Sequence, residues 1–326
     1  MTPALLGAAQ LAALHRDMPP SALTGTPYLL CDLQTPWDEA ARAGLADASC
    51  PVIGVGPARA QADVAACDAV VADMQAALPL IHGIARAPIA AAVLAHTLRL
   101  TEKLPLAAAL HAESLAYATL QGGAEFKAWC AQHPPPGARA RHDAAPAVAL
   151  ARDQRTLHLT LDRPAERNAM TVEMRDALCE ALRLALNDTD IDTLCIRASG
   201  KCFSTGGDPA EFGTAPDSSS AHLIRSVQLP GRLLAACGAR ARVYVHGACI
   251  GSGIEFPAFA ARVTAHRRSW FQLPELDYGL IPGAGGCVSI ARRIGRQRLM
   301  AWVLGGQRID AATALRWGLI DAIDPG

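Results

Sequence analysis

The sequence predicts an α/β fold in which strands run into glycine-rich turns and then into helices, repeated along residues 148–326. Three observations predict it. Leucines alternate with polar residues at Leu157, Leu159 and Leu161, the period of a strand with one buried face. Two apolar runs, residues 194–196 and 243–245, end in the glycine-bearing segments 199–208 and 247–253. Between them, Met174, Leu178, Ala181, Leu182 and Ala185 recur at helical spacing behind Thr171, whose hydroxyl suits an N-cap. Strand, glycine turn and helix in repetition mark stacked β–α units rather than a bundle or a sandwich.

Residues 148–151 and 157–161 flank a polar Asp153-Gln154 turn and are expected to pair as a hairpin. Upstream lies a proline-, arginine- and alanine-rich stretch, HPPPGARARHDAAPA. Three successive prolines cannot continue a helix, so residues 134–147 are expected to be a linker. Residues 1–133 are expected to be mainly helical, with Ala and Leu dominating from Ala66 onward and breaks at Pro79, Pro88, Pro105 and Gly122-Gly123. Two apolar runs there, residues 28–31 and 51–55, are candidate strands. The Gly54-Val55-Gly56 pair is too short for a dinucleotide fingerprint, because Arg59 stands where the third glycine belongs.

Composition narrows the function classes. Thirty Lys and Arg balance thirty Asp and Glu, so net charge offers nothing to nucleic acid or to an anionic membrane surface. The one basic cluster, Arg292, Arg293, Arg296 and Arg298, reads as a solvated helix face. Ten cysteines carry no CxxC pair and no zinc-ligand spacing, which points to a cytoplasmic protein without disulfides or metal. Residues 5–14 lack the basic flank of a signal peptide and read as an ordinary helix. No uninterrupted apolar run reaches membrane-spanning length.

Two glutamates stand among apolar neighbours: Glu255 just past the second glycine turn, between Ile254 and Phe256, and Glu275 within Phe271-Gln272-Leu273-Pro274-Glu275-Leu276. Burial raises a carboxyl pKa, and two carboxyls sharing a pocket are driven apart, so that one serves as acid and the other as base. The glycine turns would present free backbone N–H groups suited to a developing oxyanion.

Five ordered motifs give these residues a context. Leu161-Asp162-Arg163-Pro164 with Arg167-Asn168-Ala169-Met170, then Phe203-Ser204-Thr205-Gly206-Gly207-Asp208, then residues 247–255, 271–286 and 305–323 together resemble the crotonase (enoyl-CoA hydratase/isomerase) superfamily. The resemblance implies a crotonase, ClpP-like spiral of β-β-α units over residues 148–326, with an α-helical N-terminal region. It implies Glu255 and Glu275 as catalytic acids and bases, Gly207 and Ser252 as N–H donors of the oxyanion hole, and Arg167, Asn168 and Ala169 as the coenzyme A-binding turn. It further implies an acyl-CoA thioester as substrate with no other cofactor and no metal, no nucleic-acid or membrane partner, and a homotrimer or homohexamer. Glutamate at both positions is the hydratase pattern. An isomerase or hydrolase on the same scaffold, or an inactive crotonase-fold subunit, stays open at this point. Ser252 departs from the family's usual glycine, and His246 from its usual small amide.

The resemblance also bears on residues 84–133, which are similar to the helices that follow the core in other members and cover their pocket. They are expected to be a shortened, permuted or duplicated crotonase piece returning those helices to the core, over an exposed aromatic rim of Phe256, Phe259 and Phe271. Pocket width is expected to be set by a mobile loop over residues 209–225.

Overall fold

A computed structural model describes residues 5–13, 19–46, 48–134 and 145–325. The centre of the half formed by residues 145–325 is a six-stranded sheet in the order Ala322–Asp324, Arg262–His266, Ala241–Val245, Thr193–Ala198, Thr156–Leu161, Val148–Asp153. Every neighbouring pair is parallel except the last, the expected hairpin, which turns at Gln154. A smaller three-stranded sheet, Ile309–Asp310, Trp270–Gln272, Ala248–Ile250, stands beside it. The chain alternates between the two: 241–245 runs on into 248–250, and 262–266 into 270–272, each before a helical segment. That alternation is the β-β-α spiral. Thr171 caps the Val172–Asn187 helix by accepting the Met174 N–H at 3.1 Å, and its face of Met174, Leu178, Leu182 and Ala185 is buried as the spacing requires.

The first 71 residues hold more strand than a mainly helical region should. Leu5–Leu6, Leu29–Asp32, Val52–Val55 and Ala69–Val71 form a four-stranded parallel sheet with its own apolar core around Leu29, Cys31, Trp37 and Val52. These strands are two to four residues long and the two central ones are almost wholly buried, so no alternation marks them. Helix takes over from Asp73, which caps Met74–Arg86, and continues through Pro88–Thr101, Leu106–Gln121 and Ala124–Gln132. The linker expected at 134–147 falls largely outside the described residues. No helix among the described residues is by itself long and apolar enough to cross a bilayer.

These helices share one hydrophobic core with the β-β-α half, Ile84, Leu94, Leu98 and Phe126 packing with Leu276, Ile290 and Trp302. Gly83 lies so close to the Leu304 carbonyl that a Cβ there would overlap its oxygen. The basic cluster is only half a solvated face: Arg292 and Arg298 are exposed, but the other two are not. Arg293 reaches the Ala258 and Ala260 carbonyls, and Arg296 reaches Ala65, Cys67, Glu102 and Asp68. Asp68, almost fully buried, also holds Arg99 and the Val52 N–H, so it ties the small parallel sheet to two helices at once. A buried carboxylate persists only with such partners.

Candidate active site

The second glycine turn shapes the site. Gly251 adopts φ 49°, ψ −122°, which a residue bearing a Cβ strongly resists, and this sharp turn starts the short Ser252–Glu255 helix. Space demands glycine as well: a Cβ on Gly251 would stand 2.7 Å from Glu275 Oε1 and 3.8 Å from Glu255 Oε1. The two carboxylates therefore flank one turn. A Gly251→Ala substitution is expected to cost about 1–3 kcal/mol in backbone strain and to displace Glu275. Thermal unfolding at an unchanged midpoint, with unchanged ligand binding, would contradict it.

The first glycine loop lies alongside. Ser204 pairs with Cys249, Ile250 N–H donates to the Ser204 carbonyl at 3.1 Å, and a Cβ on Gly206 would press on the Ile250 carbonyl at 2.7 Å. Gly207 and Ser252 line the same cavity, of about 170 Å³. Among the described residues, neither the Gly207 N–H nor the Ser252 N–H, the first of its helix, has an acceptor within the chain.

Glu255 and Glu275 differ in what holds them. Glu255 Oε2 accepts the N–H groups of Ala284 and Gly286 at 2.8 and 3.0 Å. Burial pushes its pKa up to about 7, opposed by those two N–H groups and by the Arg225 charge. Glu275 has no such relief at Oε2, which is buried without a partner. Burial first, and the Glu255 charge second, hold it well above the usual carboxylate range. Glu255, relieved by two N–H groups, therefore gives up its proton more readily than Glu275.

A third acid is present that sequence reasoning missed. Glu113, on the Leu106–Gln121 helix, is buried with Oε1 accepting the Gly285 N–H at 2.7 Å and Oε2 unpartnered. Burial and the Glu255 charge raise its pKa strongly. Among the described residues, the buried side-chain atoms lacking a hydrogen-bond partner are Glu113 Oε2, Ser252 Oγ and Glu275 Oε2, and all three belong to this site. Polar atoms left unsatisfied at one place, in a fold that satisfies them elsewhere, mark where a ligand belongs. Tyr117, one helical turn beyond Glu113, lines the cavity with its ring against Gly283. The signal for both was a polar stripe, Glu113, Tyr117 and Gln121 at four-residue spacing on an otherwise apolar helix.

Two other expectations need correction, the aromatic rim and the loop over residues 209–225. Phe256 and Phe271 are core residues, and the aromatic wall of the cavity is Phe212 and Tyr278, ring centroids 5.6 Å apart, backed by Trp129. Residues 218–227 are a helix, because Asp217 caps it through the Ser220 N–H at 2.9 Å. His246 bonds the Gly200 carbonyl away from the cavity, and Asp277 pairs with Arg86 at 3.0 Å. Asn168 is fully buried. Its Oδ1 accepts the Arg163 N–H and its Nδ2 serves the Ser199 and Cys202 carbonyls, so its side chain builds the turn, as does Ala169. Of that trio only Arg167 presents its side chain to solvent.

Known proteins carry the same pattern. The sequence model described as "Enoyl-CoA hydratase/isomerase" matches residues 152–326, just over half of the chain. The 2,3-dehydroadipyl-CoA hydratase of Escherichia coli (strain K12) is 33% identical over 176 residues, covering 54% of this chain and 68% of that protein. An enoyl-CoA isomerase/hydratase of Mycosarcoma maydis is 31% identical, over 52% of this chain and 65% of its own length. A crystal structure of an enoyl-CoA hydratase from Thermoplasma volcanium superposes with a TM-score of 0.50 at 25% identity, over 56% of this chain and 73% of that one. The chain has the crotonase fold and belongs to the enoyl-CoA hydratase/isomerase family.

Proposed function

We propose that this chain is an enoyl-CoA hydratase, adding water across the double bond of an α,β-unsaturated acyl-CoA thioester to give a 3-hydroxyacyl-CoA. One observation carries it: two buried carboxyls of unequal acidity flank Gly251 in the cavity that the unpartnered Gly207 and Ser252 N–H groups line. The thioester carbonyl would accept both N–H groups, which polarise it and stabilise the enolate that forms. Water held between the carboxyls would give its proton to Glu255 while its oxygen attacks Cβ. Glu275 then delivers its proton to Cα, and the pair exchanges a proton through solvent to return to its starting state. Neither metal nor redox cofactor has a step to perform in this addition. In the same proposal residues 84–133 are a permuted or duplicated crotonase piece closing the acyl pocket, and Arg167 stands at the coenzyme A-binding turn. By analogy with the family, the molecule assembles as a trimer or hexamer.

Hydration should follow a bell-shaped pH profile in kcat/KM. It rises as Glu255 loses its proton, around pH 7, and falls at higher pH where Glu275 gives up its own. A profile flat from pH 5 to 9 would contradict these roles. Coenzyme A itself should bind, since recognition of a thioester begins at the carrier. Calorimetric titration with an unreactive acyl-CoA should saturate, and no heat at millimolar ligand would favour a subunit that has lost its ligand.

A further inference from the structure

A cation stands in the acyl pocket. Arg225, on the Ser218–Val227 helix, lines both the cavity that holds the two glutamates and an adjoining one of about 390 Å³. The two cavities share Tyr117, Met170, Phe212 and Arg225 along their common wall. A chain leaving the carboxyl pair for the second cavity would run past this guanidinium. The remaining lining there includes Ala221, Ile224, Leu229 and Pro230, which suit methylenes, and two carboxylates already engaged with backbone, Asp208 accepting the Ala210 N–H and Glu211 accepting the Val172 N–H.

The hydrogen-bond partners of this guanidinium are neutral groups. Nη1 donates to the Ala221 carbonyl at 3.1 Å, Nη2 donates to Gln121 Oε1 at 2.9 Å, and Cζ lies 4.1 Å from the centroid of the Tyr117 ring. The amide and the ring fix the plane of the group, the Tyr117 hydroxyl also lies within reach of it, and donors remain over. The other arginine of the second cavity, Arg175, is spent on Asp176 at 2.8 Å. A planar cation held in one orientation, partly desolvated and with donors to spare, is the arrangement that recognises a carboxylate in bidentate fashion. The charges of Glu113 and Glu255 act on it from a distance, but among the described residues no carboxylate is hydrogen-bonded to it.

We propose that the acyl group this site accepts carries a carboxylate at its far end, so that the substrate is the mono-CoA thioester of a short unsaturated dicarboxylic acid, its free carboxylate bound by Arg225. This rests on the acyl-CoA site proposed above and adds the class of acyl chain. Tyr117 and Gln121 act as positioning residues that aim the guanidinium.

The competing explanation is that Arg225 serves only to balance the buried acids, since its charge also lowers the pKa of Glu255 and Glu113. The two make different predictions for neutral ligands. Saturated dicarboxylic mono-CoA thioesters of four to six carbons, and monocarboxylic thioesters of the same lengths, would be titrated into the wild-type chain, Arg225→Gln and Arg225→Lys. A charge-assisted pair is worth roughly ten- to a hundredfold in affinity. The wild type should bind the dicarboxylic ligand of best length at least about tenfold tighter than its neutral counterpart. Arg225→Gln should reduce that ratio to about one while leaving the neutral ligands within about threefold, and Arg225→Lys should keep part of the preference. A wild type that prefers the neutral thioester at every length overturns the proposal, as does an Arg225→Gln variant that weakens both classes equally. Because saturated thioesters cannot be hydrated, selective binding without turnover of the unsaturated ligands would leave this site standing and remove the hydratase assignment instead.

Discussion

Glu255→Gln and Glu275→Gln should each lower the rate of hydration by about a hundredfold or more, because positioned acid–base groups contribute on that scale. Each variant keeps the shape of the side chain and removes the proton traffic. Neither should unfold the protein, and their effects on stability have a defined sign. A carboxyl whose folded pKa lies above its unfolded value holds a proton in the folded state that the unfolded chain has released. Stability from this source is therefore fully present below the unfolded pKa and is lost as pH rises through the folded one. For Glu255 that window runs from the ordinary carboxyl value of 4.5 to about 7. Wild-type stability should fall across it, and Glu255→Gln should show a flatter dependence. Above neutral pH the Gln variants should be as stable as the wild type or more so, the pattern of groups kept for activity at a cost to folding. Two variants with near-normal turnover, or two that melt far below the wild type at pH 8, would show that these carboxyls are structural.

Gly83→Ala should have the largest effect on stability of any single methyl added outside the site. The added carbon has no space, because the Leu304 carbonyl it meets is backbone and cannot rotate away. Overpacking of this kind costs about 1–3 kcal/mol, and the thermal midpoint should drop by several degrees. The consequence reaches the site. The Met74–Arg86 helix leads into the helices that bring Glu113 and Tyr117 to the cavity, so loosening it against the Arg296–Gly305 helix should weaken ligand binding as well. A midpoint and an acyl-CoA affinity both unchanged would mean that the N-terminal helices are not integral to the pocket.

The parts of this protein that were legible in its sequence share one property: they are written locally. The hairpin at Gln154 and the capped helix after Thr171 declare themselves through two-residue and helical periods. Each glycine turn directly follows an apolar run, and each glutamate stands among its own apolar neighbours. What stayed hidden depends on long-range packing. In the N-terminal sheet the apolar runs 28–31 and 51–55 could be read as strands, but the two-residue edge strand Leu5–Leu6 has no period to read. Arg293 and Arg296 look like a charged surface until the carbonyls that accept them arrive from elsewhere in the chain. Glu113 is 142 residues from Glu255, and only the fold sets both around Gly285 and Gly286. Arg225 lay in a segment whose DSSS run suggested a loop, although Asp217 makes the same run a helix start.

The most direct test of the proposed chemistry is to mix the full chain with α,β-unsaturated acyl-CoA thioesters, both monocarboxylic and dicarboxylic, and follow loss of the enoyl thioester absorbance while the product is identified. Disappearance of the conjugated thioester with formation of the 3-hydroxyacyl-CoA, abolished in the Glu255→Gln, Glu275→Gln double variant, is the expected result. Saturable binding of the same ligands with no loss of absorbance, or conversion to a positional isomer without uptake of water, would contradict it.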